Sequence, residues 1–305
     1  MIPKYIFLSI TFTLILLHSP NYAQTSDEYE LKEKQRYNFR RLEPNNLPPI
    51  EIYAQPKEEF FPLGYGTNHL NRITTGTDTW TELNPKVPRV TYLGLHFVNK
   101  DTGWACGQSG AVIKTTNGGS DWTISETPVN NLLLKTHSYN GQVVLVSGYD
   151  GIILRSSDGG ENFELIPSGV GSGYDLWGVQ MLNDTLGWVC GVYQTLLKTT
   201  DAGLSWQPVT TGINQHYWSL NFLNESYGMI ACSDGIVLKT TDGGNSWIQT
   251  QAGDTRDLFT IDVIDSLHIA AAGYDGKNVY SSDGGVTWLS NPDLPAFSAT
   301  NCIDF

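Results

Sequence analysis

The feature that most constrains this chain is an octamer that occurs five times at nearly constant spacing. Every copy starts with two Ser or Thr residues, has Asp or Asn third and Gly fifth, and ends in Trp or Phe. Successive copies lie 41, 43, 41 and 41 residues apart, which indicates a repeat protein. The copies are Thr115–Trp122, Ser156–Phe163, Thr199–Trp206, Thr240–Trp247 and Ser281–Trp288.

The octamer has the composition of a tight turn between two strands. Its short polar side chains can bond backbone amides, and its Gly allows a positive φ. The final aromatic residue can cover the hairpin with a large apolar face. We interpret these residues as structural, because a metal site would need several oxygen ligands in one loop. They are Asn117, Asp158, Asp201, Asp242 and Asp283 at the third position and Trp122, Phe163, Trp206, Trp247 and Trp288 at the eighth.

The rest of each period supplies two more strands. Gly103–Gly107 is a short apolar strand, and an earlier strand alternates Trp177, Val179 and Met181 with small or polar residues. Only 16% of the residues are charged and the helical period is absent, which excludes a helical solenoid and fits sheets packed on both faces. Four short strands in about 42 residues predict an all-β fold, a β-propeller of four-stranded antiparallel blades.

The blade count follows from the same frame. Five blades are complete, and partial blades flank them. Residues 68–80 fit the last two strands of a blade, since Trp80 lies 42 residues before Trp122. Ile303 and Phe305 fit the first strand of another blade. The two parts could join into a six-bladed ring, or the chain could be a C-terminally truncated fragment of a protein with seven or more blades. We expect the fragment, because a chain rarely ends on an unpaired core strand.

Three cysteines fall on the predicted second strands. Cys106 and Cys190 occupy equivalent positions in different blades, and Cys232 is one position away from that slot. Equivalent positions in separate blades are too far apart for a disulfide. We predict buried free thiols.

The N-terminal region differs from the repeats. Lys4, an apolar run over residues 5–17 and the small residue Ala23 predict a signal peptide over residues 1–23. Residues 24–60 are interpreted as an extended leader or linker, and residues 61–305 as the propeller. The predicted location is exported: periplasmic, cell-surface or extracellular, with no transmembrane span after cleavage. Residues 61–305 hold 11 basic and 23 acidic residues, which argues against binding to nucleic acid.

The octamers resemble Asp-boxes, the Ser-x-Asp-x-Gly-x-Thr-Trp pattern of the bacterial neuraminidase repeat superfamily. The Gly-Trp-x-x-Gly strand and the Lys-Thr-Thr-Asp-Gly-Gly-x-Ser-Trp hairpin make the whole blade similar to photosystem II stability/assembly factor-like propellers. The resemblance covers about residues 61–305 and implies a secreted bacterial member. It further implies a non-catalytic scaffold for protein binding or assembly, without cofactor or metal.

The resemblance also implies where a ligand binds. In such propellers the octamer hairpins lie on one face, and functional residues come from the opposite face, built by inter-blade loops and the turns between second and third strands. Polar and aromatic residues at these positions predict a ring for a protein or glycan ligand. They are Arg89, Tyr149, Asp150, Asp175, Tyr193, His216, Asp234, Arg256, Asp257, Tyr274 and Asp275.

The alternative function is a secreted glycoside hydrolase of the sialidase-like propeller class. A sialidase needs an arginine triad. Arg72 and Arg155 fill a slot that holds Lys in other blades, so only Arg89 and Arg256 remain in the propeller for such a triad. A glycosidase with two carboxylates stays open, since Asp175, Asp257 and Asp275 could converge. No residue is assigned a catalytic role.

Overall fold

The computed structural model describes residues 87–290. They belong to one of two compact units of the chain, and the other unit, Leu17–Pro85, lies outside the described residues. Within residues 87–290 all regular structure is β-strand apart from short turns of 3₁₀ type. Five antiparallel sheets of four strands each follow one another along the chain, and the strand order in each sheet is the sequence order. The predicted all-β propeller architecture is confirmed.

Each sheet is one blade. Blade 1 has β1 (Tyr92–Phe97), β2 (Gly103–Gly107), β3 (Val112–Thr115) and β4 (Thr123–Ser125). Blade 2 has β5 (Leu133–His137), β6 (Val144–Gly148), β7 (Ile153–Ser156) and β8 (Glu164–Ile166). Blade 3 has β9 (Leu176–Met181), β10 (Gly187–Gly191), β11 (Leu196–Thr199) and β12 (Gln207–Pro208). Blade 4 has β13 (Tyr217–Phe222), β14 (Gly228–Cys232), β15 (Ile236–Thr240) and β16 (Ile248–Gln251). Blade 5 has β17 (Leu258–Val263), β18 (Ile269–Gly273), β19 (Asn278–Ser281) and β20 (Leu289–Ser290).

Several predictions concern other parts of the chain. The signal peptide, the leader, the partial blade at residues 68–80, the strand at residues 303–305 and Arg72 all lie outside residues 87–290. In residues 87–290 there is no helix long and apolar enough to cross a membrane.

The first strand of each blade packs against the first strand of the next, so these strands are innermost. The core lies between blades. One buried cluster, for example, joins Leu145 and Ile153 of blade 2 to Leu176, Val179 and Met181 of blade 3. Every residue of the five second strands is buried, and in blades 2 to 4 a neighbouring blade covers each face of the sheet. This burial explains the low content of charged residues.

The three cysteines of the second strands are buried and free, as predicted. Burial raises the pKa of the Cys106 thiol to about 12. These thiols pack as small apolar groups between blades.

In each of blades 1 to 4 one polar side chain of the innermost strand bridges to the next blade, and the bridging residues share one repeat slot. His96 donates through Nε2 to the Ser138 carbonyl at 2.9 Å, and the Met181 N–H donates to His137 Nδ1 at 3.2 Å. The next bridges run from Gln180 to the Phe222 backbone and from Asn221 Nδ2 to Asp262 Oδ1 (2.8 Å). The small or polar positions of the alternating strands therefore join blades.

Each octamer closes on itself. In the third copy the Thr199 hydroxyl donates to Asp201 Oδ1 at 2.7 Å, and the Ser205 backbone N–H and hydroxyl donate to the same carboxylate at 2.9 and 2.6 Å. These hydrogen bonds lower the pKa of Asp201 to about 2. Asp242 and Asp283 make the equivalent bonds. The carboxylate oxygens thus bind within their own turns.

The fifth-position glycine also joins neighbouring blades. Gly160 has φ +88°, and a Cβ built on it would overlap the indole of Trp104, in the second strand of the preceding blade. A Cβ on Gly244 would lie 2.5 Å from Trp188 in the same way. Trp104 further donates through Nε1 to the Gly159 carbonyl at 3.0 Å. Glycine is therefore required at this position for two reasons: it adopts the positive φ, and it leaves room for the indole of the preceding blade.

Candidate functional site

Strand alternation divides the loops of the blades between two ends. The turns between second and third strands share one end with the loops that lead into the first strands, and we call this end the turn face. The octamer turns share the opposite end with the turns between first and second strands, and we call this end the octamer face. On the octamer face the two kinds of turn are in direct contact: the Gly243 N–H of an octamer donates to the Ser226 carbonyl, in the turn between β13 and β14, at 2.9 Å.

The turns of the turn face are tight two-residue hairpins with two successive positive φ values. Blade 2 has Asp150 and Gly151 at φ +58° and +72°, and blades 1, 4 and 5 also place Gly second. Blade 3 differs, because Tyr193 and Gln194 adopt φ +55° and +62° without any glycine. Non-glycine residues pay a steric cost in this conformation. Blade 3 therefore keeps a strained turn where its neighbours use glycine.

Three candidate residues accept hydrogen bonds from the turn of the preceding blade. Asp175 Oδ1 accepts from the Asp150 N–H at 3.2 Å, and Asp257 Oδ1 accepts from the Asp234 N–H at 3.1 Å. His216 Nδ1 accepts from the Tyr193 N–H at 3.2 Å. All three come just before a first strand, so they share one slot that joins neighbouring blades at the turn face.

Asp150 also supports the loop of the next blade. Its Oδ1 accepts from the Gly173 N–H at 2.9 Å, and its Oδ2 accepts from Asn131 Nδ2 at 3.3 Å. The pattern shows that the carboxylates of blades 2 and 3 position backbone around them.

The candidates of blade 5 form a separate charged group. Arg256 binds the Asp254 carboxylate through Nε and Nη2 and donates through Nη1 to the Asp275 carbonyl at 2.7 Å. Hydrogen bonds from Arg256 hold the pKa of Asp254 well below its usual range. Lys277 is buried beside them and donates to the carbonyls of Asp254 and Arg256. Burial lowers the pKa of Lys277. Arg89 is exposed and precedes β1.

A β-bulge opens every first strand and determines which side chains reach the turn face. The register shifts between Leu176 and Gly178, so the alternation that the sequence suggests breaks at Trp177. Leu176, not Trp177, lies in the inter-blade core with Val179 and Met181. The bulged slot holds Leu93, Leu134, Trp177, Trp218 and Phe259 in blades 1 to 5.

The bulged aromatics of blades 3 to 5 form a continuous row with two turn tyrosines, which we call the aromatic row. Ring centroids are 6.1 Å apart for Tyr149 and Trp177, 5.3 Å for Trp177 and Trp218, 5.7 Å for Trp218 and Phe259 and 6.5 Å for Phe259 and Tyr274. Trp218 is the buried centre of the row, with 6% of its surface exposed, whereas Tyr274 at the end of the row is 43% exposed.

A side branch leaves the row at Trp218. Tyr174 contacts Tyr193 at 5.5 Å between ring centroids, Tyr193 contacts His216 at 5.2 Å, and His216 contacts Trp218 at 5.6 Å. Tyr174 and Tyr193 are 39% and 48% exposed. The structure thus brings the candidates Tyr149, Tyr193, His216 and Tyr274 together through residues that sequence reasoning did not select as ligand-binding: Tyr174, Trp177, Trp218 and Phe259. The signal was present as an aromatic residue recurring in one slot of three blades.

The sequence matches the model of the photosynthesis system II assembly factor YCF48 family over residues 73–170 and 172–289. These ranges cover more than half of the 305 residues. The chain belongs to the YCF48 family. The resemblance to assembly factor-like propellers is thereby confirmed. A comparison with curated protein sequences finds no match.

Solved structures share the fold of this YCF48-family chain at low identity. YCF48 bound to D1 peptide is 18% identical, with a TM-score of 0.49, over 68% of this chain and 83% of that protein. An ancestral GH74 enzyme is 16% identical, with a TM-score of 0.57, over 71% of this chain and 33% of the enzyme. U3-55K is 12% identical, with a TM-score of 0.59, over 70% of each chain. The GH74 and U3-55K likenesses show the propeller fold.

Two candidate carboxylates on the turn face of this YCF48-family propeller have separate backbone partners. Asp175 and Asp257 belong to blades 3 and 5 and bind different turns, with the whole of blade 4 between them. Among residues 87–290 no group of three or more His, Cys, Asp or Glu side chains could hold a metal ion. The arrangement suits binding through aromatic rings.

Proposed function

We propose that this YCF48-family propeller is an exported, non-catalytic scaffold that holds a protein partner on its turn face. The observation that carries the proposal is the aromatic row, whose bulged slot holds aromatic rings in blades 3 to 5 and Leu in blades 1 and 2. Membership of an assembly-factor family supports the same function. Export rests on the predicted signal peptide at residues 1–23.

The residue types of the face support a protein ligand. Tyr, Trp and Arg contribute most to the energy of protein interfaces, because they bury large areas with few rotatable bonds. Three tyrosines of the face are well exposed while their neighbours are held by packing: Tyr174, Tyr193 and Tyr274. Such preorganised aromatic anchors bind with a low entropy cost.

Two carboxylates of the face have backbone partners, which supports a binding role. A two-carboxylate glycosidase places its groups about 5 to 10 Å apart around one bond. Asp175 and Asp257 each accept a backbone N–H of a different blade, at 3.2 and 3.1 Å. Each carboxylate thus stabilises the turn of the preceding blade.

The first experiment tests binding by site-specific photo-crosslinking. A benzoylphenylalanine replaces Tyr193 in the full chain, and the matched control replaces Tyr139, which is 53% exposed in the turn between β5 and β6. We expect one defined protein to be captured at position 193 and not at position 139. Equal capture at both positions would contradict the proposal.

The second experiment tests catalysis. The purified full chain is incubated with sialosides, xyloglucan and other plant and microbial glycans, and reducing ends are measured. We expect no turnover. Turnover that a folded Asp175→Asn or Asp257→Asn variant loses would establish the hydrolase instead. Mass spectrometry of the mature N-terminus tests export, with cleavage after Ala23 as the expected result.

A further inference from the structure

We propose that the aromatic row binds an extended segment rich in Arg and Lys from the partner protein. This inference rests on the proposed binding function and specifies the chemistry of the ligand. It draws on the spacing of the rings, the acidic surroundings and the way in which the turn of blade 3 is held.

The ring spacing fits an extended chain. Successive ring centroids from Tyr149 to Tyr274 lie 5.3 to 6.5 Å apart. In an extended peptide every second side chain points to the same side, at intervals of about 6.6 Å. A segment laid across blades 3 to 5 therefore advances by about one ring spacing for every two residues. Its side chains can meet the accessible rings Tyr149, Trp177, Phe259 and Tyr274, while the buried Trp218 supports them from below.

The acidic surroundings select the charge of those side chains. Residues 61–305 carry a net charge of −12, and the turns beside the row each contribute a half-buried carboxylate, at Asp150, Asp234 and Asp275. The cations of the face that the structure describes next to the row, Arg256 and Lys277, both bind Asp254. A cationic ligand is thus complementary to the face and an anionic one is repelled.

The combination of rings and carboxylates favours Arg most strongly. A guanidinium stacks on an aromatic face and can still donate hydrogen bonds from its edge to a carboxylate or carbonyl. The row offers both partners within one blade, since Tyr149 precedes Asp150 and Tyr274 precedes Asp275 in their turns. Lysine can use the ring or the carboxylate but lacks the planar fork.

The turn of blade 3 supports the same assignment. Tyr193 and Gln194 hold a conformation that glycine would adopt more easily, and the turn is fixed by the Tyr193 N–H to His216 bond and by a Gln194 N–H to Gln215 carbonyl bond of 2.9 Å. In this turn the Tyr193 ring lies against Tyr174, at the exposed end of the side branch. A face that only joined blades would need no tyrosine there.

The test is a fluorescence anisotropy titration of the full chain with a labelled nonapeptide of alternating Arg and Ser. Controls are the same peptide with Glu in place of Arg, and xyloglucan oligosaccharides as competitors. We expect saturable binding of the Arg peptide, weaker binding of a Lys peptide and none of the Glu peptide. The Kd should rise at least tenfold for Tyr193→Ala and for Tyr274→Ala and stay near the wild-type value for Tyr193→Phe.

Two exposed tyrosines away from the row separate specific binding from general attraction to an acidic protein. Tyr139→Ala and Tyr280→Ala should leave the Kd unchanged, because Tyr139 lies on the octamer face and Tyr280 lies in β19, where it is 45% exposed. Equal affinity of wild type and Tyr274→Ala, no saturable binding of the Arg peptide, or equal binding of the Glu peptide would overturn the inference. If the crosslink at position 193 still captures a protein in that case, the scaffold function stands and only the ligand chemistry fails.

Discussion

The octamer face and the turn face are built from the same five repeats, but the residues vary much more from blade to blade on the turn face. On the octamer face each copy makes the same hydrogen bond, from the Ser or Thr hydroxyl to the third-position side chain. In the last four copies the fifth-position glycine also lies against a side chain of the preceding blade. On the turn face one slot holds Leu in blades 1 and 2 and aromatic rings in blades 3 to 5. Constancy along the repeat thus marks the structural end, and departure from it marks the candidate binding end.

The largest effect should come from the octamer face. Gly160→Ala adds a Cβ that overlaps Trp104 and forces a positive φ on alanine, so we expect a loss of about 3 kcal/mol in the free energy of unfolding, measured in urea. Gly119→Ala is the matched control, because it occupies the same octamer position at φ +87° with only Trp122, at 3.6 Å, near its Cβ among the described residues. It should cost about 1 kcal/mol. Equal losses would show that the glycine serves only the turn.

An intermediate effect should appear as a dependence of stability on pH. Burial, together with His96 and Lys135, holds the pKa of His137 well below its usual value. The unfolded chain therefore takes up the proton first as the pH falls. The contribution of His137 to stability should be constant above about pH 6.5 and decline below it, by at most about 1.4 kcal/mol per pH unit for one proton.

Urea unfolding between pH 7.5 and 5.5 measures this decline, and His137→Gln should flatten it. The octamer carboxylates stay out of this window, because the pKa values of Asp201, Asp242 and Asp283 are about 2. His268→Gln is the control, since His268 is an exposed partner of Asp265. A decline that persists unchanged in His137→Gln would assign the effect to another group.

The smallest effect should come from the turn face and have the opposite sign. Gln194→Gly relieves a positive φ of +62° at the cost of extra flexibility in the unfolded chain, so we expect a gain of about 0.5 kcal/mol in the free energy of unfolding. The reciprocal change Gly151→Gln should destabilise blade 2, where the Val170 carbonyl lies 3.0 Å from a Cβ at this position. Thermal unfolding compares the two. A loss of stability in Gln194→Gly would mean that blade 3 is not strained.

The sequence predicted the parts of the fold whose contacts are local. An octamer satisfies its own polar groups within eight residues, so its spacing was enough to predict the hairpins and the blades. The partner of Gly160 is Trp104, 56 positions earlier, and nothing in the octamer indicates it. Local patterns cannot show which side chain of one blade meets a turn of the next.

The sequence selected residues of the turn face without the contacts that these residues make. Sequence reasoning selected Asp175, His216 and Asp257 as ligand residues, and the structure adds that each accepts a backbone N–H across a blade boundary. Trp177 was grouped with Val179 because strands alternate, but the β-bulge interrupts the alternation. Bulges depend on pairing with the second strand, which a single strand pattern does not contain.

The three buried cysteines are natural probes of local unfolding. Cys106, Cys190 and Cys232 lie in blades 1, 3 and 4, and burial raises the pKa of each thiol. Alkylation requires a solvated thiolate, so a reagent such as iodoacetamide modifies each position only when its own blade separates from a neighbour. If Cys302 is replaced, only these three thiols can react. The order in which they are alkylated then shows which contact between blades opens first.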